Sequence, residues 1–453
     1  MPSSATVRPL IPPVMRTQFR NAFVLPAFLS LVLLSAMFNP AYGIEAARTV
    51  TLEEAFGMAA STHEMVMVSG EGITQAEAVV GKAMSTILPQ VGLEAGYTRY
   101  SEKQTAGAFV TQPDVNKRLD VRFSQSLYTG GIEWSAIRQG RLLIEKSRER
   151  HKYSRQSVLR ETARAYYGAL KAERDVDIRR AALKRAEERK KVAYARFKVG
   201  EVTRSAVLRA EAELSAKEAE LIKADSSLLD AKNMLRRVIG GEGEVNVAEP
   251  ARQTMAAADA DTLVKASYET RLDYKQAVID KKLSEEAITY AKGNFLPRLR
   301  LEGQYSLRAQ DPETAFFQED SASASIVLTY PLFEGGLRRA EMNDVLSRRR
   351  EAELRLQSLR KDIEIEVRVA FNAMAAQKAV LEAYRKRLSF AEEDYKTVFE
   401  QFKYGLATTV DVIDAGTELQ AAEGSLMNSV YDLELAIVSL KYYVGIQLEE
   451  PAK

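Results

Sequence analysis

A chain of 453 residues carries 64 basic and 62 acidic side chains, so its net charge is only +2. Interspersed charges of that balance argue against a nucleic-acid binder, which would concentrate a basic excess on one face. The lack of any cysteine rules out disulfides, thiolate metal sites and cysteine nucleophiles, and two histidines, His63 and His151, are too few for a multi-histidine metal site.

The chain opens with a targeting segment. Arg16 and Arg20 precede the apolar run FVLPAFLSLVLLSAMF (23–38), and Ala41-Tyr42-Gly43 offers small residues for cleavage. Residues 1–43 are therefore expected to be a secretory signal, with Met15 as a second candidate start. They contain three arginines and no acid, so their removal leaves a net charge of −1. No later stretch has the length of a membrane-spanning helix, so a secreted chain of this kind is either soluble or a β-barrel.

The remainder is written twice. Residues 44–240 form one copy, 241–257 a linker, 258–445 a second copy and 446–453 a tail. LYTGG (127–131) recurs as LFEGG (332–336), and RRVIG (236–240) recurs as KYYVG (441–445), both at an offset of 205. LPQVGLEAGY (88–97) recurs as LPRLRLEGQY (296–305) at 208. FKVGEVTRSAVLRAEAELS (197–215) and FKYGLATTVDVIDAGTELQ (402–420) agree at eight of nineteen positions. Two units of about 200 residues point to duplication of a large structure, because solenoids repeat shorter units more often.

Each copy has the same order. A helical stretch runs to Leu-Pro, and two alternating segments follow. In the first copy these are strands near 90–100 and 118–128. Val91, Leu93, Ala95 and Tyr97 share a face in the first strand, as do Leu119, Val121, Phe123 and Leu127 in the second. In the second copy the strands fall near 298–308 and 321–332. Leu299, Leu301, Tyr305 and Leu307 share a face, as do Ala322, Ala324, Ile326, Leu328, Tyr330 and Leu332. Period two marks a two-faced strand. Such strands suit either a small sheet on a soluble core or a membrane barrel with its apolar face outward.

Glycine pairs then lead into helices. Gly130-Gly131 precedes a helix over 133–199, and Gly335-Gly336 precedes one over 337–403. Each is followed, after a second glycine turn, by another helix, over 203–239 and 408–443. The stretch 337–402 holds neither Pro nor Gly. At 1.5 Å per residue such helices reach roughly 100 Å, which implies coiled-coil packing. Leu159, Ala163, Tyr166 and Leu170 form one stripe for it, and Ala165, Ala169, Ala172 and Val176 a second. Four strands cannot close a membrane barrel, for which about eight are the minimum, and an open edge in lipid is costly. Strands that enter a membrane therefore demand an oligomer.

The duplicated order of Leu-Pro, YTGG and YPLFEGG at the strand exits, and FKVGEVT and FKYGLATTVDVIDA at the helix turns resembles the TolC-type outer-membrane channel proteins of Gram-negative bacteria. The resemblance spans residues 50–445. It implies an α+β membrane protein: a homotrimer, four strands per chain in a twelve-stranded barrel, continued by an α-helical coiled-coil tunnel in the periplasm. It further implies export in tripartite efflux or type I secretion, surrounded by outer-membrane lipid, with a periplasmic membrane-fusion adaptor and an inner-membrane pump of RND, ABC or MFS type. No nucleic acid, metal, cofactor or catalytic residue is implied.

By the same resemblance Asp411 and Asp414 match a ring of gate carboxylates at the periplasmic end. The helical positions agree with a shared face, since the two are three residues apart. Thr408-x-x-Asp411 also has the spacing of a capping box, and the first copy, with Thr203, lacks both acids. The tips Val199-Gly200-Glu201 and Tyr404-Gly405-Leu406 are expected to contact the adaptor. A Tyr–Arg pair that locks the gate in well-known members falls on Phe402 and Ala407, so that lock cannot form here, and Arg204 or Arg209 are its candidate substitutes. A carboxylate-based enzyme and a periplasmic coiled-coil adaptor are the rival classes. The first lacks a substrate cleft, and the second would not carry four duplicated two-faced strands.

Overall fold

A computed structural model describes residues 48–448 apart from 242, 253, 254, 256, 257 and 315. The expected signal segment lies outside the described residues. The elements in chain order are β1 (Arg48–Val50), α1 (Leu52–Thr62), α2 (Glu64–Ser85), β2 (Gln90–Arg99), β3 (Gln104–Ala106), β4 (Phe109–Gln112), β5 (Val115–Tyr128), α3 (Ile132–Lys198) and α4 (Arg204–Ile239). They continue as β6 (Val245–Val247), α5 (Ala260–Thr270), α6 (Leu272–Gly293), β7 (Arg298–Asp311), β8 (Asp320–Thr329), α7 (Leu337–Lys403) and α8 (Thr409–Val444).

The four long strands form one antiparallel sheet in the order β2-β5-β7-β8. Gln90 faces Ser124 in the first hairpin and Arg298 faces Thr329 in the second, positions that differ by 208 and 205. The two hairpins thus share one register under the two sequence offsets. The start of β2, the end of β5, the start of β7 and the end of β8 lie along one margin of the sheet. All four of those ends run into helices, and the polar connections lie at the other margin.

The apolar face of the sheet is open. Val91 and Leu93 on β2 are 71% and 70% exposed, and Ile326 and Leu328 on β8 are both 67% exposed. The opposite face carries ion pairs, with Glu94 2.7 Å from both Arg118 and Arg122, and Asp120, fully buried, 2.9 Å from Arg118. An exposed aliphatic band backed by a charged face suits lipid on one side and water on the other. No helix among the described residues is long and apolar enough to cross a membrane.

Several expectations shift. A β-bulge between Ser126 and Tyr128 places Tyr128, not Leu127, opposite Leu299 on the apolar face. β8 stops at Thr329 rather than 332, just before Pro331, which has no N–H to extend the ladder. The connection between β2 and β5 holds the β3–β4 hairpin, turned at Gly107. The expected linker 241–257 contains β6, paired in parallel with β1. Three residues are too short to show a period, and the pair is held by burial of Val50, Val245 and Val247. The Tyr166 hydroxyl sits 2.9 Å from the Val50 carbonyl and 2.6 Å from that of Ala248, bracing both strands. Burial pushes its pKa up to about 12.

The core lies where α1 and this strand pair meet the middle of α3 and the end of α8. Leu159, Ala163, Tyr166 and Leu170 are all at most 1% exposed there, packed with Leu52, Phe56, Leu235, Ile239 and Val438. The stripe read from the sequence is the seam of this core. A second cluster joins α5 to α7 and α8 through Leu263, Val264, Ile363, Val367 and Leu440.

Both glycines of the first strand exit have positive φ, 73° at Gly130 and 82° at Gly131. A Cβ on Gly130 would also meet the Gly293 carbonyl oxygen at 2.5 Å, whereas one on Gly131 meets nothing within 4 Å. Gly131→Ala is expected to cost about 1–2 kcal/mol from the left-handed backbone alone. Gly130→Ala should cost a further 1–3 kcal/mol, roughly, from overpacking. Thermal unfolding of the detergent-solubilised protein, followed by circular dichroism, checks this, and equal midpoints for the two variants would refute it.

Candidate functional site

The two helical hairpins end in turns of the same construction. Gly200, at φ 79°, follows Val199, and the Glu201 N–H donates to the Arg196 carbonyl at 2.9 Å. Gly405, at φ 80°, follows Tyr404, and the Leu406 N–H donates to the Gln401 carbonyl at 2.9 Å. Bonds of this reach close a helix on a left-handed residue, which glycine adopts without strain. The turns push Val199, Tyr404 and Leu406 outward, at 71%, 79% and 80% exposure. Apolar side chains so exposed at a helix tip have no intrachain partner to explain them.

Asp411 is the third residue of α8 and completes a capping box. Its Oδ2 accepts from the Thr408 N–H at 2.7 Å, and its own N–H donates to Thr408 Oγ1 at 3.3 Å. The backbone hydrogen bond from Thr408, and then the one from its hydroxyl, hold the Asp411 carboxyl below its ordinary value of 3.8. A depressed value means that the cap contributes above the ordinary pKa and is lost as pH falls below it. Within one chain these hydrogen bonds outweigh the opposing effect of desolvation. Asp414 lies one turn on, exposed on the face of α8 away from the buried Val412, Ala415 and Gly416. Thr203 takes the matching cap position in the first hairpin, but its side chain makes no capping bond there.

The residue matching the lock tyrosine, Phe402, is fully buried with Ala193, Ala210 and Val412, and Ala407 packs beside it. Arg204 and Arg209 are exposed, and among the described residues the side chain of neither makes a hydrogen bond or ion pair. Within the chain the two tips are joined by Arg196, near the end of α3. Its Nη1 donates to the Phe402 carbonyl at 3.0 Å, its Nε meets Glu201 at 3.0 Å, and its guanidinium lies 5.3 Å from the Phe402 ring centre.

Two turns above, Arg189 is only 2% exposed. It forms a two-pronged ion pair with Glu213 on α4, donates to the Tyr395 hydroxyl on α7 at 3.3 Å, and lies where a side chain on Gly416 of α8 would stand, 2.7 Å from a Cβ there. One guanidinium thus touches all four long helices. Farther along the seam, Arg185 meets Glu423 at 2.8 Å, Lys217 meets Gln420 at 2.8 Å, and Lys171 pairs with Asp432. Neither Arg189 nor Arg196 was singled out in the sequence. A signal existed: Arg189 occupies an otherwise alanine stripe, Ala182, Ala186 and Ala193, at helical spacing.

The model of the outer membrane efflux protein family matches residues 68–241 and 263–445. The chain belongs to the outer membrane efflux protein family. The outer membrane protein TolC of Vibrio cholerae is 23% identical over 402 residues, covering 85% of this chain and 88% of that protein. The alkaline protease secretion protein AprF of Pseudomonas aeruginosa is 25% identical over 355 residues, covering 76% and 73%. The crystal structure of the outer membrane protein VceC from Vibrio cholerae matches with a TM-score of 0.73 at 19% identity, over 87% of this chain and 96% of that one. This efflux protein is therefore an outer-membrane exit channel of a Gram-negative bacterium that extends into the periplasm. Its family is one of ducts rather than enzymes, and the adaptor reading falls away.

A buried guanidinium shared by four helices makes a sharp prediction for the efflux protein. Arg189→Ala strands Glu213 in a buried site and should cost about 3–5 kcal/mol. Replacing both partners, as Arg189→Met with Glu213→Met, should recover most of that loss. Equal unfolding midpoints for the single and double variants would show that the pair does not tie the helices together.

Proposed function

We propose that the protein assembles as a homotrimer, with twelve strands closing one outer-membrane barrel and the long helices continuing as a periplasmic tunnel. The observation that carries this reading is the open sheet. β2 and β8 each pair on one side only, and they run antiparallel to each other. Copies can therefore join edge to edge, β8 to β2, in a heterologous ring that leaves no unpaired strand. Two copies would supply eight strands, whose interior side chains fill; three leave a lumen.

We also read residues 44–240 and 258–445 as products of a duplication. The equal lengths of α3 and α7, 67 residues, and of α4 and α8, 36 residues, support this, as does the shared hairpin register. Export runs through a periplasmic membrane-fusion adaptor and an inner-membrane pump of RND, ABC or MFS type. Such a duct leaves the choice of cargo to its pump. The adaptor contacts are the tips Val199-Gly200-Glu201 and Tyr404-Gly405-Leu406, whose outward apolar side chains favour a docking role.

Asp411 and Asp414 form the periplasmic gate in this reading. Three chains bring six carboxylates together, and a ring of acids passes cations and is plugged by multivalent ones. The capping role of Asp411 is compatible, since one of its oxygens serves the cap. Single-channel conductance in planar bilayers tests the proposal. Wild type should show a small, steady conductance that a trivalent cation on the periplasmic side blocks. Asp411→Ala/Asp414→Ala should conduct without that block. An equal block in both proteins would remove the aspartates from the gate, and a folded protein that never conducts would overturn the duct.

A further inference from the structure

The first strand-to-helix turn is seated against the chain, and the second is not. Gly130 lies so close to the α6–β7 junction that an added Cβ would be 2.5 Å from the Gly293 carbonyl oxygen and 2.9 Å from Leu296 Cβ. Reciprocally, a Cβ on Gly293 would meet Ile132 Cγ1 at 2.6 Å. Just beyond, the buried Ser135 donates to the Glu286 carbonyl at 2.9 Å, and Lys146 pairs with Asp280 at 2.5 Å. At the second turn, Gly335 and Gly336 have open space where a Cβ would stand. Leu332 and Phe333 are 84% and 86% exposed, and Ala340, at the place of Ser135, is exposed too. The α2–β2 junction, which corresponds to the seat, also lies open at Met84 and Leu88.

The correspondence follows from the shared hairpin register, with offsets of 208 and 205. Under it Gly335 stands for Gly130, Leu337 for Ile132, Ser85 for Gly293 and Leu88 for Leu296. We propose that the turn Pro331–Leu337 of one copy seats on the α2–β2 junction, Met84–Leu88, of the next copy. It would repeat between chains the contact that Gly130–Ile132 makes with Gly293–Leu296 within one. The proposal rests on the barrel reading above and fixes what that reading leaves open, the register between chains.

Two features of the sequence agree with it. The pairs Val121↔Tyr305 and Phe123↔Gly303 of the β5–β7 ladder, carried over by the same offsets, put Ile326 opposite Tyr97 and Leu328 opposite Ala95. All four are on the apolar face, so the register keeps both faces intact, whereas a slip of one residue would invert one of them. Ile132, branched at Cβ, needs a glycine before it at 293, while Leu337, unbranched there, faces Ser85.

Cross-linking tests the proposal, because the chain has no cysteine of its own. The double variants S85C/L337C and Y97C/I326C are purified in detergent, weighed by native mass spectrometry and oxidised, then run on non-reducing gels. Within one chain α2 packs on α3 and α7 on α6, so a link between 85 and 337 joins two chains. The expected result is a covalent trimer from both pairs that reverts to monomer on reduction, with no linkage in single variants. A trimer linked through Y97C/I326C but not through S85C/L337C overturns the seating and leaves the barrel reading standing. A trimer linked through neither overturns the register as well. A monomer by native mass sinks the barrel reading and this proposal with it. If S85C/L337C does not match the thermal stability of the wild type when reduced, L88C/L337C probes the same seat under the same criteria.

Discussion

A strand edge cannot be left bare in hydrocarbon, since each unpaired N–H and C=O costs several kcal/mol. That constraint organises the molecule. The sheet has four strands and two open edges, β2 and β8, so the fold of one chain is incomplete by itself. The even strand count makes the two edges antiparallel, and each can serve as the missing partner of the other. The same count sends all four helix-linked strand ends to one margin, so the helices continue from the sheet instead of covering it. The exposed aliphatic face then needs no protein partner, because lipid supplies one.

Below the sheet the forces change character. The middle of the bundle is closed by an apolar core in which Tyr166 and Tyr167 sit fully buried among leucines and valines. Toward the tips the seam between the two hairpins adds ionic and hydrogen-bonded contacts to a small apolar cluster around Phe402: Lys171 with Asp432, Arg185 with Glu423, Arg189 with Tyr395, Arg196 with the Phe402 carbonyl. Polar contacts can exchange with water more cheaply than a packed core can be opened.

Much of this was legible in one dimension. Period-two alternation marked all four sheet strands because each has one face in contrast with the other, and the glycine turns marked the helix ends because only glycine takes positive φ freely. Asp411 was readable both as a cap and as an acid set apart from its counterpart Ala206, and the capping box is present. The bulge at Leu127 was not readable, because a bulge is a relation between two strands and leaves no mark in either one alone. The β1–β6 pair escaped for a similar reason: three residues at each end of a 200-residue separation carry no period. The contact of Arg196 with the Phe402 carbonyl was not readable either, since reach across the seam depends on where α3 ends relative to Phe402.

The sequence by itself determined the local elements, the two-faced strands and the length of the helices, because each follows from periodicity or backbone preference. Only the tertiary structure decided which charged groups are buried and which turn is seated. Arg189 resembles any other arginine on a charged helix until Glu213, Tyr395 and Gly416 are brought around it. Gly130 and Gly335 are equivalent in the sequence, and only packing separates them: one rests against Gly293, and the other faces open space. Side-chain environment depends on neighbours distant along the chain, and one-dimensional spacing holds no record of which neighbours those are.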